Sequence, residues 1–217
     1  MPDTKENILH AALRLFARDG YEAASVSDIA GELGMTKGAL YKHYRNKRDI
    51  FDSIVERMYR IDAERAKRYD VPEETFDASP SAYRNTAVDH IRAFIEAQFH
   101  FLTEDEFARD FRKMLTLEQY RNPEMAELYQ KCFARGPVSY MEDLFREMMK
   151  QGVWRTSDPK QLAIEFYAPF YLLVSISDAS PDGNDAAKLL AEHVDRFIER
   201  NASPRECARR TPKTEGA

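Results

Sequence analysis

The sequence predicts an all-α protein. Glycine is scarce, at 8 of 217 residues, helix formers dominate, and no run of alternating β-branched residues appears. Apolar side chains recur instead at spacings of three and four along almost the whole chain, the period of a helix with one buried face.

The first helix covers about 4–18, with Thr4 as its N-cap. Ile8, Ala12, Leu15 and Phe16 share a face, Leu9 and Leu13 widen it, and Gly20 supplies the stop before the anchoring Tyr21. Ser25 precedes Asp28 by three residues, a capping-box spacing that opens a second helix with Val26, Ile29, Ala30 and Leu33 inward and Gly34 at its end. Thr36 caps a third helix, TKGALYKHY, whose Leu40 and Tyr44 face the core at i and i+4. Lys37, Tyr41 and Lys42 are left facing outward, with His43 near the helix end. Gly38 removes a side chain where the backbone could approach a phosphate.

Asn46, three residues before Asp49, caps a longer fourth helix over about 47–68 with Ile50, Phe51, Ile54, Val55, Met58 and Ile61 as its stripe. Its first turn offers free N–H groups and a positive dipole end beside Lys47, a phosphate clamp. The polar stretch ERAKRYD suits a connector. Residues 70–82, DVPEETFDASPSA, break the composition with two prolines and mark a loop between domains.

Further helices follow. One covers about 83–102, and one opens on the Thr103/Glu106 capping box. Another opens on Asn122-Pro123 and is broken or kinked by Gly136-Pro137 before it stops at Gly152. Asp158-Pro159 repeats the cap-plus-proline signal before the most apolar helix, about 160–176, whose apolar residues run around most of its surface. After the turn SPDGND a last amphipathic helix covers about 185–200. Two such helices can pair with their copies in a symmetric four-helix bundle. Phe166, Phe170, Leu172, Leu173, Leu190, Val194 and Phe197 are the residues expected to do so. The stretch 201–217 lacks periodicity and reads as a disordered tail. By role, the chain divides into a helix-turn-helix domain at 1–48 and a helical body at 49–200, with the fourth helix as connector, and this tail.

The formal net charge is −5, yet residues 1–50 carry eight Lys/Arg against seven Asp/Glu. Between 36 and 48 stand Lys37, Lys42, Arg45, Lys47 and Arg48 and no acid. Phosphate attraction acts over roughly 8–10 Å, so this local charge counts for more than the total. A two-helix unit whose second helix is basic, aromatic and preceded by a hydroxyl is what reading a DNA major groove requires. Cys132 and Cys207 lie far apart with no CxxC or CxxH spacing, and the five histidines form no HxxxH or HExxH pattern, so two free thiols and no metal or other cofactor are expected. No apolar stretch approaches the roughly 18 residues of a membrane span, and MPDTKENI is not a signal peptide. A cytoplasmic, nucleoid-associated protein is the expectation. An enzyme is not, because no paired carboxylates or nucleophile–base set appears in the apolar body.

Along about 5–52, Ile8-Leu9, Ala12, Leu15-Phe16, Gly20-Tyr21, Ser25-Val26, Asp28-Ile29-Ala30, Gly34, Gly38, Leu40-Tyr41, His43-Tyr44, and Lys47 before Phe51 stand at the spacings of a known family. The chain resembles the TetR-type (tetracycline-repressor-like) bacterial transcriptional regulators, departing at Leu33-Gly34 and at Tyr44, where a Phe is usual. The resemblance implies a three-helix DNA-binding domain on the fourth helix and an all-helical ligand-binding and dimerisation domain. It also implies repression relieved by a small molecule. Carried over by position, Ser25, Thr36, Tyr41, His43 and Lys47 would bind phosphates, and Ser27, Lys37, Gly38 and Lys42 would lie nearest base edges of a palindromic double-stranded operator. Hydroxyls and helix N-termini position, while long basic side chains reach guanine O6/N7, so the two readings agree. Candidate ligand-pocket residues are Phe94, Phe111, Met114, Tyr129, Phe133, Tyr140, Phe145, Phe166 and Phe170, a set that would suit a medium-sized apolar or aromatic ligand. A DNA-organising factor of the same fold without an inducer is the alternative expectation, and a helical enzyme a remote one.

Overall fold

The computed structural model describes residues 4–179 and 184–210. Twelve helices and no strand occur among them. They are α1 (Thr4–Asp19), α2 (Val26–Glu32), α3 (Lys37–Leu40), α4 (Lys47–Arg68), α5 (Pro80–Asn85) and α6 (Val88–Glu104). Then follow α7 (Glu106–Glu118), α8 (Pro123–Phe133), α9 (Arg135–Lys150), α10 (Pro159–Ser177), α11 (Asn184–Asn201) and α12 (Pro204–Arg210). The fold is all-α. Helix α1 already includes Thr4, so its cap position falls outside the described residues; of the expected SPDGND turn, residues 180–183 also lie outside them, while Asn184 and Asp185 already belong to α11.

Packing groups the chain into two compact units, Met1–Glu64 with Phe101–Lys131, and Arg65–His100 with Cys132–Ala217. This differs from the division by role at residue 48, and the reason lies in α1. Its buried face carries Ile8, Leu9, Ala12, Leu15 and Phe16, and it lies along α7, which buries Phe107, Phe111, Met114 and Leu115. The His10 and Phe107 rings meet edge-on at 5.4 Å, and the Arg57 guanidinium lies 4.7 Å from the Phe107 centroid. Burial of the Ile, Leu, Phe and Met side chains among these contributes roughly 1.5–3 kcal/mol each, which makes the α1–α7 contact a principal support of the first unit.

The second unit is built on an aromatic cluster. Phe145 of α9 stacks on Phe197 of α11 at 5.7 Å, and Phe166 of α10 lies 4.8 Å from Phe197. Trp154 closes the cluster edge-on to Phe145 at 5.7 Å.

Several expected boundaries shift. The helix expected from 83 starts at Val88, because Thr86 is extended (φ −72°, ψ 125°) and its hydroxyl donates to the Ala82 carbonyl, ending the short α5. The cap expected at Thr103 is Asp105, whose carboxylate accepts the Ala108 N–H at 2.9 Å, while Thr103 is still inside α6. The break expected at Gly136-Pro137 falls at Ala134 (φ −130°, ψ −91°), which places Pro137 in the first turn of α9, where its missing N–H is not needed.

The expectation of a disordered tail from 201 is corrected. Arg155 N–H donates to the Asn201 carbonyl at 2.8 Å, Ser203 N–H donates to Val153 at 2.9 Å, and Ala202 and Ser203 are buried. The pairing with the 153–155 loop leads directly into α12. Residues 211–217 lie outside the described ones.

Candidate nucleic-acid interface

The two helices of the basic stretch are set by caps at both starts. Ser25 Oγ accepts the Asp28 N–H at 3.2 Å, and the Asp28 carboxylate accepts the Ser25 N–H at 2.8 Å and the Ser25 hydroxyl at 2.6 Å. The Ser25 hydroxyl and then the Ser25 N–H hold the Asp28 carboxyl below the usual carboxylate range. Gly34 (φ 63°) turns the chain, and Met35 N–H closes back on Ala30 at 3.0 Å. Thr36 Oγ1 then accepts the Ala39 N–H at 3.2 Å.

Helix α3 is shorter than the expected TKGALYKHY. It is regular only from Lys37 to Leu40, and Lys42, His43 and Tyr44 continue as a tight turn on the carbonyls of Ala39 and Leu40. The inward pair is as expected. Leu40 and Tyr44 are buried, and the Tyr44 hydroxyl donates to the Lys5 carbonyl at 3.3 Å.

Ser25, Ser27, Thr36, Lys37, Gly38, Tyr41, Lys42 and His43 are all exposed. Tyr41 is 44% exposed with the Lys37 ammonium 5.8 Å from its ring centroid. A Cβ placed on Gly38 would meet only Thr36 Oγ1, at 4.0 Å, so the fold itself leaves room for a side chain there. Hydroxyls, aromatics and ammonium groups thus share one rim of the first unit.

Lys47 stands apart from this rim. Its ammonium donates to the carbonyls of Tyr21 (2.8 Å), Ala24 (3.2 Å) and Glu22 (3.4 Å) and lies 4.3 Å from the Tyr21 ring centroid. The side chain grouped with the phosphate set is committed to the loop between α1 and α2. Two more of the five basic residues have carboxylate partners. Arg45 pairs with Asp49 at 3.0 Å, and Arg48 donates to Asp52 at 2.6 Å and Glu124 at 2.7 Å. The Asn46 cap is present, its side chain accepting the Asp49 N–H at 2.8 Å.

One side chain that sequence reading did not single out holds this assembly from behind. Glu118, buried at the end of α7, accepts the Tyr21 N–H at 2.9 Å. An acid set among Met114, Leu115 and Leu117 is the signal that could have drawn notice, because a buried carboxylate needs a donor.

The nine candidate ligand residues are divided between the two units. Phe111, Met114 and Tyr129 belong to the first unit and Phe94, Phe133, Tyr140, Phe145, Phe166 and Phe170 to the second. Phe111, Met114, Phe145, Phe166 and Phe170 are buried as core, and Tyr140 donates its hydroxyl to the Pro72 carbonyl at 3.2 Å. Two clefts, of about 510 Å³ in the first unit and about 410 Å³ in the second, are lined by other residues. Of the seven candidate dimer residues, Phe166, Phe170, Leu173, Leu190, Val194 and Phe197 are buried within the chain, and Leu172 alone is open, at 60%. Ile164, Ile176 and Leu189 are exposed too, at 41–52%. A period-based reading gives the apolar side of a helix but not which part of it the chain itself covers.

Among the described residues no cluster of His, Cys, Asp or Glu could hold a metal ion, and no helix is long and apolar enough to cross a membrane.

Residues 8–54 match the family described as bacterial regulatory proteins, tetR family. The chain is 43% identical over 54 residues to the HTH-type transcriptional regulator AcrR of Shigella flexneri, a stretch that is 25% of each protein. It is 30% identical over 132 residues to the uncharacterized HTH-type transcriptional regulator YerO of Bacillus subtilis, 60% of this chain and 40% of that protein. It therefore spans between a quarter and two-fifths of the length of these relatives. Among solved structures it is similar to SmeT in complex with triclosan, with 24% identity and a TM-score of 0.70 over 93% of this chain and 92% of SmeT. SmeT is described as the repressor of the Stenotrophomonas maltophilia multidrug efflux pump SmeDEF. At that identity the likeness is one of fold.

Proposed function

We propose that the chain, whose residues 8–54 match the family described as bacterial regulatory proteins, tetR family, is a sequence-specific DNA-binding transcriptional regulator, a repressor released by a small molecule. The carrying observation is the exposed rim of Ser25, Ser27, Thr36, Lys37, Gly38, Tyr41, Lys42 and His43, with no acid between residues 36 and 48. Thr36, Tyr41 and His43 fix the protein on phosphates, and Lys37 and Lys42, beside the bare backbone of Gly38, reach base edges. The Ser25 hydroxyl already donates its single proton to the Asp28 carboxylate, so it bonds a phosphate only by giving up that contact.

The working unit is a homodimer reading a palindromic operator. Its two α3 segments enter successive major grooves about 34–36 Å apart. The exposed Ile164, Leu172 and Ile176 of α10 and Leu189 of α11 supply the apolar surface that a second copy would cover. An apolar or aromatic ligand in the helical body shifts the dimer toward a form that no longer fits the operator. It acts only through its different affinity for the two forms, typically about 1–3 kcal/mol. The relatives are named as regulators or repressors, and SmeT is solved with triclosan, which supports this reading over an enzymatic one.

Genome-wide mapping of binding sites tests it. A few palindromic sites between genes, released by a small molecule in a mobility-shift assay, are the expected result. Dispersed occupancy without response to small molecules would instead support a DNA-organising factor.

A further inference from the structure

Along one side of the first unit, between α4 and the part of α8 that belongs to the same unit, runs an open groove of about 510 Å³. That volume falls within the usual range of small-molecule sites. Its floor follows from helical spacing, since Phe51, Val55 and Tyr59 stand at i, i+4 and i+8 on α4 and face Leu128 of α8. None of the nine aromatic and Met residues considered as a ligand set lines it.

The rim is charged and unbalanced. Asp52, Glu56, Glu124 and Glu127 stand against Arg48 and Lys131, a formal excess of two negative charges. Both cations already serve the groove. The Arg48 guanidinium bridges Asp52 and Glu124 and lies 5.4 Å from the Phe51 ring centroid. The Lys131 ammonium lies 4.7 Å from the Tyr59 centroid. Each of the two rings therefore carries a cation of the chain itself, the arrangement a ring quadrupole favours.

Such a lining selects by charge. An anion would meet four carboxylates, and a neutral apolar body would strip water from them without compensation. An apolar cation satisfies the rings and the rim together. Lys131 is exposed and rides on a flexible four-carbon stem, so its ammonium can leave Tyr59 at small cost.

We propose that this groove is a binding site for a monovalent organic cation with an apolar body, of the quaternary ammonium or phosphonium class, whose charged centre takes the place over Tyr59 now held by the Lys131 ammonium. The site goes beyond the repressor reading and does not depend on it, because binding here is measurable without DNA.

Calorimetric titration of the full chain with tetraphenylphosphonium, and with tetraphenylborate as the anion of the same shape, tests the proposal. The phosphonium should bind saturably and the borate should not. Tyr59→Ala should weaken the phosphonium about tenfold, while Lys131→Ala should tighten it severalfold by removing the internal competitor. A damaged fold weakens binding in both variants, so the opposite signs report on the groove itself. No saturable phosphonium binding, equal affinity for the borate, or a phosphonium affinity unmoved by both substitutions would overturn the proposal.

Discussion

The buried carboxylate of Glu118 accepts the backbone N–H of Tyr21 at 2.9 Å, so the last turn of α7 holds the second residue after α1. Gly20 stands beside it at φ 92°, and a Cβ there would lie 2.8 Å from the same carboxylate. Glu118→Ala should cost about 2–3 kcal/mol, the worth of a hydrogen bond to a charged group plus an orphaned donor. Gly20→Ala should cost at least about 1–2 kcal/mol from the left-handed backbone alone. Urea denaturation of the two variants checks both figures. A Glu118→Ala variant as stable as the parent would show that the contact carries no weight.

Lys47 and Tyr41 were grouped together by sequence and part company in the structure. Tyr41→Ala should leave the melting temperature within a degree or two while weakening all DNA alike and lowering the salt slope. Lys47→Ala should lose stability as well, about 1–2 kcal/mol, because three carbonyls and a ring face lose their cation. Lys42→Ala should change sequence preference instead. Thermal melts beside mobility shifts at two salt concentrations separate the three behaviours.

Gly38→Ala offers the cleanest division between fold and recognition. Open space awaits the new methyl, and alanine is favoured over glycine in a helix by about 0.5–1 kcal/mol. The variant should melt no lower than the parent yet bind operator DNA at least about tenfold more weakly, the loss of one good contact to the duplex. Unchanged operator affinity would remove Gly38 from the recognition surface.

Neighbouring leucines on α10 should behave oppositely. Leu172→Glu places a charge on an exposed apolar side chain and should split the dimer with the monomer fold intact; Leu173→Glu buries a charge and should unfold the chain. Sedimentation velocity with circular dichroism distinguishes them, and a monomeric parent protein would refute the bundle.

Burial lowers the affinity of the His193 ring for protons, against a smaller opposing effect from the Phe166 carbonyl, which lies 3.2 Å from Nε2. A depressed folded value means that the unfolded chain takes up the proton first as pH falls. The stabilisation is therefore full above the ordinary value near 6.5 and declines as the pH drops below it. Melting temperature should fall between pH 7 and pH 5, and His193→Leu should flatten that fall. Parallel melting curves for parent and variant would sink the assignment.

Much of this was readable from spacing because it depends on local rules. Ser25 with Asp28, Thr36, Asn46 and Asp158 all cap helices where the sequence puts them, since a cap needs only its own side chain and the next turn. Leu40 and Tyr44 face inward for the same reason. The misjudged features depend on residues distant in the chain. Asp105 rather than Thr103 starts α7 because α6 runs on to Glu104. Residues 201–203 are ordered because the 153–155 loop supplies partners that no local pattern announces. Phe166 and Phe197 face each other rather than a second copy, a choice that amphipathicity leaves open.

The Lys47 ammonium, seated on the carbonyls of Tyr21, Glu22 and Ala24, behaves as a counter-ion fastened to the chain by its own side chain. A dissolved cation can be exchanged for another; a tethered one that leaves its seat stays within reach of it and returns. Raising the ionic strength strips phosphates from exposed ammonium groups, but it leaves this loop assembled, because the competing ion must displace a group whose effective local concentration is far above that of the buffer. Protein eluted from nucleic acid by salt should therefore leave the column with its α1–α2 loop in the bound-ready arrangement and recover full affinity on dilution without a slow refolding phase.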